Sequence, residues 1–202
     1  MSGRRLHWRS GRHERGVALV EFALVAPVLI LLVLGIFEFG NAWRQTAGIE
    51  RAVQQGARTV TSQANARYAD YEALRAVDSA TRSLSGVTVD QVVIYRADSA
   101  DGAIPAACLT ASQSGLCNRY TGAQVRTVAP TGFPPATSCA GGWDALWCPT
   151  GRDRDGINRM RIGVHLTVSY TPVTGLIPGP TMTITRTAVY QIEPCAQGQS
   201  GC

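Results

Sequence analysis

A single carboxylate interrupts the longest apolar run in the chain. Between Val17 and Phe37 the residues are apolar except for Glu21, which stands five positions after Gly16. An acid buried at mid-membrane costs roughly 3 kcal/mol, so its chemistry is that of a charge in want of a partner. If the chain is cut after Gly16, Val17 gains an ammonium group and Glu21 becomes the fifth residue of the mature chain. It can then pair with such an ammonium on a neighbouring helix. The competing reading is an acid that snorkels to the interface near a helix N-terminus, where the dipole favours negative charge.

Six cysteines are the other residues with a chemistry of their own: Cys108, Cys117, Cys139, Cys148, Cys195 and Cys202. Cys108 and Cys117, and again Cys139 and Cys148, are nine apart, so three local disulfide loops, with Cys195 and Cys202 as the third, are the expected arrangement among the many that six cysteines admit. A zinc site is the alternative, but no C-x-x-C occurs and no histidine lies between these cysteines. Of the three histidines, His7 and His13 precede the apolar run and only His165 follows it, on an alternating segment between Val164 and Leu166. No Gly-x-Ser-x-Gly or His-Glu-x-x-His motif accompanies it. The run Asp153-Arg154-Asp155-Gly156-Ile157-Asn158 has the opening of a calcium loop, yet its twelfth position is Val164 rather than a bidentate acid. A turn suits it better. These residues predict neither an enzyme nor a cofactor or metal.

The element that must position Glu21 is a membrane-spanning helix. At about 1.5 Å per residue the run from 17 to 37 covers a hydrocarbon core of about 30 Å. Its aliphatic and aromatic residues together favour insertion by about 7 kcal/mol, which outweighs the acid. The net charge of +5 is concentrated in the leader: residues 1–16 hold five arginines against Glu14, or +4; Glu21 adds −1; residues 38–202 hold 14 arginines and 12 acids, or +2. A basic leader predicts a cytoplasmic N-terminus, and it argues against nucleic acid, which needs clustered positive charge on the folded part. Everything after Trp43 and Arg44 then lies outside the membrane, where disulfides persist. An ordinary signal peptide cut near Gly40-Asn41-Ala42 is the rival reading, although the run is longer than a usual h-region.

Gly16-Val17-Ala18-Leu19-Val20-Glu21-Phe22, with the arginine-rich leader before it, resembles the prepilin processing motif of Tad (tight adherence, Flp-type) pilus systems. The longer string from Gly16 to Gly40, followed by ERAVQQGARTV from Glu50 to Val60, is similar to TadE-like minor pseudopilins. The resemblance implies cutting by a prepilin peptidase between Gly16 and Val17, assembly roles for Glu21 and Phe22, and partners among other pilus subunits or Tad assembly proteins. It covers residues 12 to 60 and, more loosely, the closing strands.

Beyond the span the helical pattern continues. Pro27 predicts a kink, and Ile49, Val53, Ala57 and Val60 recur at near-helical spacing. Gly48, Ala52 and Gly56 form a small-residue stripe. Two glycines in an aqueous helix cost roughly 1 kcal/mol each, so close packing is expected there, either on the protein's own domain or on another subunit. A second amphipathic helix is predicted over 69–85, with Gly86 as its stop, and strands over 87–95, 160–170 and 182–190. The expected fold is α+β: a long N-terminal helix, a second helix and an antiparallel sheet of about three strands. The organisation is a basic cytoplasmic leader over 1–16, a span over 17–42, and an extracytoplasmic pilin-like domain over 43–202 with a cysteine-rich insertion at about 97–156. Two functions fit this sequence. One, implied by the resemblance, is a TadE-like minor pseudopilin or assembly component of a Tad-type secretion and adhesion pilus. The other is an uncleaved signal-anchored protein whose disulfide-bonded domain binds a partner at the cell surface.

Overall fold

One helix carries the chain from the apolar run straight into the folded domain. The computed structural model describes residues 12–63, 65–134, 139–153, 160–172 and 181–193. Helix α1 spans Arg12–Gln63 and continues through Pro27, whose missing amide costs one internal bond. It is the one described helix long and apolar enough to cross a membrane. Val17 to Phe37 are exposed along it apart from the half-buried Ala26, Glu38 is its first buried residue, and continuous packing begins after Arg44.

From there α1 serves as a core element. Ile49, Ala52, Val53, Ala57 and Val60 are fully buried against α2 (Ala69–Arg82), which contributes Ala73, Leu74 and Val77. The expected second helix thus forms, although it ends at Ser83. Gly86 instead sits in a left-handed turn (φ 72°) where an added Cβ would come within 2.5 Å of the Thr171 carbonyl oxygen. Only glycine fits that position.

The sheet has four antiparallel strands rather than three: β1 (Val87–Arg96), β2 (Cys117–Thr121), β3 (Arg161–Tyr170) and β4 (Met182–Gln191), in the order β2-β1-β3-β4. The added strand, β2, lies in the cysteine-rich insertion, which also forms the short helices α3 (Ala106–Thr110) and α4 (Gly122–Arg126). One sheet face, with Val92, Ile94, Ile162, Val164, Leu166 and Val168, packs on the helices. The opposite face bears a smaller cluster of Val93, Tyr95, Ala97, Cys108 and Cys117, so the middle of β1 is buried on both sides.

Tyr95 anchors that second cluster. Its hydroxyl donates to the Gly102 carbonyl at 2.6 Å, and its ring lies over Gly163, where a Cβ would come within 2.2 Å of Tyr95 Cζ. Burial, and after it the Asp101 charge, push the phenol from 10.0 up to about 12 against a weaker pull from Arg161. The folded chain therefore holds a proton that the unfolded chain loses above pH 10. Stability is expected to be unaffected by this group below pH 10 and to fall by about 1.4 kcal/mol per pH unit between 10 and 12. Urea unfolding at a series of alkaline pH values checks this, and Tyr95→Phe is expected to flatten that part of the slope.

Candidate functional site

Gly16, Val17, Glu21 and Phe22 lie on the first exposed turns of α1. No described side chain forms an ion pair with Glu21, and Phe22 is 66% exposed. A Cβ built on Gly16 meets nothing within 4 Å. Nothing in the fold of the described chain accounts for a glycine at that position.

The small-residue stripe behaves in the opposite way. A Cβ on Gly48 would approach Leu84 Cδ2 to 2.5 Å, one on Gly56 would approach Val77 Cγ2 to 2.5 Å, and Ala52 between them is fully buried. The stripe therefore seats the chain's own α2 and the turn after it. Close helix approach fixes the rest of the domain on α1, so the domain and the span form one continuous lever.

Two disulfides staple the insertion at the expected pairs, Cys108–Cys117 and Cys139–Cys148. Cys195 and Cys202 lie outside the described residues, as do Arg154 to Arg159 of the loop that opens like a calcium site. The first bridge lies in the cluster around Tyr95. The second closes a loop that carries Asp144, Trp147 and, just beyond it, Arg152 into a buried polar centre.

Sequence reasoning did not reveal that centre. Arg152 and Asp70 are both fully buried, with Arg152 Nη1 2.6 Å from Asp70 Oδ1; this contact is ionic and lies off the hydrogen-bond axis, leaving both atoms without a well-directed bond. Arg152 Nη2 donates to Asp70 Oδ2 at 2.9 Å. The same oxygen accepts from the Tyr120 hydroxyl at 2.7 Å and from Asn118 Nδ2 at 3.0 Å. Asn118 also clasps the Trp147 backbone, donating to its carbonyl and accepting from its amide. The Arg152 guanidinium lies 4.0 Å from the Trp147 ring centroid, a cation–π contact.

Beside this centre, Arg67 pairs with the fully buried Asp144 at 2.5 Å and donates to the Pro134 carbonyl at 2.6 Å. Burial raises the Asp144 carboxyl, opposed by the Arg67 hydrogen bond. Burial, and then the adjacent Asp70, push the Tyr120 phenol well above its ordinary range. Both acids face guanidinium groups, and no nucleophile stands beside a base in this cluster. Its chemistry is that of a lock, which ties α2 to β2 and to the second disulfide loop. His165 is likewise held by hydroxyls, with Nδ1 2.8 Å from Thr187 Oγ1 and Nε2 3.4 Å from Thr167 Oγ1, and burial lowers its pKa. Among the described residues no group of three or more histidine, cysteine or acidic side chains is placed to hold a metal.

Residues 16–58 match the family model described as TadE-like protein. No curated protein and no solved structure matches the chain. The resemblance read from the sequence is thus shown over the span and most of the part of α1 that packs into the domain. That family comprises pilus structural or assembly components rather than enzymes, and the match supports a Tad-pilus-associated protein.

Proposed function

We propose that this chain, TadE-like over residues 16–58, is a minor pseudopilin of a Tad-type pilus. In this reading a prepilin peptidase cuts it between Gly16 and Val17, and it acts from the outer face of the cell membrane. The observation that supports the reading is the family match itself, which begins at Gly16 and takes in the Gly16–Val17 junction and Glu21. Gly48 and Gly56 are required by packing within the chain, whereas Gly16, like Gly35 and Gly40 of the same helix, has open space around it. A residue without a Cβ at that place suits an extended backbone entering a protease active site.

Cutting there removes the five arginines that hold the leader on the cytoplasmic side. It leaves Glu21 one turn from a new ammonium group. The leader is then cytoplasmic, and the domain from about residue 43 is extracytoplasmic, the setting in which two buried disulfides form. Intact mass spectrometry of the protein purified from its own cells tests this. The expected chain begins at Val17. A chain beginning at Asn41 or Trp43 identifies an ordinary signal peptide, and an intact leader on all of the protein identifies an uncleaved anchor; either result overturns the proposal.

A further inference from the structure

Contact between α1 and the folded domain begins within about one turn of the end of the apolar run. Phe37 closes that run, and Glu38, the next residue, is only 2% exposed. Asn41 Nδ2 donates to the Tyr170 hydroxyl at 3.1 Å, and Asn41 Oδ1 accepts from Gln45 Nε2 at 3.2 Å. Because the helix runs unbroken from the apolar run into this packing, the domain is held at a fixed height above the point where α1 emerges from a membrane.

That height can be read from the contacts along α1. At about 1.5 Å per residue, Asn41 stands about 6 Å beyond Phe37 and Glu50 about 20 Å beyond it. Glu50 pairs with Arg186 at 3.3 Å, and Arg58 lies 5.7 Å from the Tyr190 ring centroid. These two contacts are about 12 Å apart on the helix and about 14 Å apart on β4, so strand and helix run side by side in the same direction. Met182 precedes Arg186 on β4 and, at about 3.4 Å per residue, lies about 14 Å nearer the span. It therefore stands about 6 Å beyond Phe37, level with Asn41. Tyr170 pairs with Met182, and Val87 with Tyr170, so β1, β3 and β4 each have one end at this height. The polar layer of a bilayer extends about 5–7 Å beyond its hydrocarbon core. All three strand ends fall within it.

The end of the domain at that level is polar but uncharged. Among the described residues on and beside the strand ends, Ser85, Thr88, Thr171, Thr181 and Thr183 are exposed, together with Met182. On these strands the first charges stand farther out, at Asp90 on β1 and Arg186 on β4. Just beyond Asn41, α1 exposes Trp43 and Arg44, and an aromatic ring with a basic group is the usual marker of a membrane interface. Hydroxyl groups both donate and accept, so they can bond to lipid phosphate and ester oxygens and to the water among them.

We infer that this end of the domain is a lipid-contact surface, seated in the headgroup layer, with Thr88, Thr171 and Thr183 hydrogen-bonded to lipid phosphate and ester oxygens and Met182 against the glycerol region. The bilayer reaches this surface because span and surface share one helix. The inference rests on α1 as a membrane span and holds with or without a cut after Gly16, so its failure would leave the pilus reading standing.

The methionines of the chain, Met1, Met160 and Met182, supply native probes. Met160 lies at the opposite end of the sheet, where its carbonyl accepts from the Ile192 amide at 3.0 Å, and serves as the internal control. The full chain, isotopically labelled at its methionine methyls, is placed in phosphatidylcholine nanodiscs containing a lipid with a nitroxide on its headgroup, and Met182→Leu assigns the signal. The nitroxide is expected to broaden the Met182 methyl at least tenfold more than the Met160 methyl. Inserting Ala-Gln-Ala-Ala-Gln-Ala-Ala between Phe37 and Glu38 raises the domain by about 10 Å and turns it by only about 20°. In that variant the nitroxide effect on Met182 is expected to fall at least fivefold, and a soluble gadolinium chelate is expected to reach a methyl that it does not reach in the parent. Equal broadening of Met160 and Met182, or a nitroxide effect on Met182 that the insertion leaves unchanged, would overturn the proposal. So would protection from gadolinium that persists in the raised variant, because the cover would then belong to the chain itself.

Discussion

Arg152→Ala is expected to lower the unfolding free energy of the folded domain by about 3–5 kcal/mol, the usual cost of removing one partner of a buried ion pair. The substitution leaves Asp70 fully buried with no cation beside it. It also takes the guanidinium from the Trp147 ring and opens a void the size of a long side chain. The remaining donors to Asp70, from Tyr120 and Asn118, solvate the carboxylate only in part. Urea unfolding of the full chain in detergent, followed by tryptophan fluorescence, measures the loss directly.

A second variant separates the cost of an orphaned charge from that of a damaged fold. Asp70→Asn combined with Arg152→Met removes both charges, keeps an acceptor for Tyr120 and refills the volume, and is expected to recover at least half of the lost stability. A loss below about 1 kcal/mol in the single variant would mean that water reaches the pair. The lock would then not be closed in solution.

The polar lock also marks where sequence reading ends. The second helix, β3 and β4 were legible because each repeats at a single period over ten or more residues, whereas β1, buried on both faces at its middle and only partly alternating, was legible from its β-branched residues. β2 was not. It has five residues, and Asn118 and Tyr120 are buried for their hydrogen bonds as much as for their bulk. No alternation of apolar and polar types survives in such a strand. The lock draws on Arg67 and Asp70, on Asn118 and Tyr120, and on Asp144, Trp147 and Arg152, three segments that only the fold brings together.

Asp70 was the most misleading of these residues. An acid in the first turn of a helix has a sufficient local explanation in the helix dipole, and nothing in its neighbours indicates that it turns inward. The disulfide pairs could be expected because spacing alone favours short loops, but the reason for the second loop could not. It delivers a cation to an acid that lies 82 positions away in sequence. For the stripe of Gly48, Ala52 and Gly56, which lies against Leu84 and Val77, the choice between a partner and the chain's own α2 needed coordinates.

Glu21→Ala is expected to leave membrane insertion intact and to reduce incorporation into the assembled pilus machinery by at least tenfold. Replacing an acid by alanine in an apolar helix favours insertion, by up to roughly 3 kcal/mol if the position is deep in the bilayer, so a defect of this variant cannot come from failure to enter the membrane. The described chain offers the carboxylate no cation, and Glu21 is exposed along the helix. The processed N-terminus and a neighbouring helix are the sources of neutralising charge that this reading predicts. Gly16→Leu isolates the earlier step, because it places a branched side chain at the proposed cut while leaving Glu21 and the span unchanged. That variant is expected to accumulate with its leader attached, whereas Glu21→Ala is expected to be cut normally and then to remain in the membrane fraction. Co-purification with the other pilus components, measured beside the mature N-terminus of each variant, distinguishes the two steps. Normal assembly of Glu21→Ala would show that the acid only snorkels to the interface, and normal processing of Gly16→Leu would remove the proposed cleavage site.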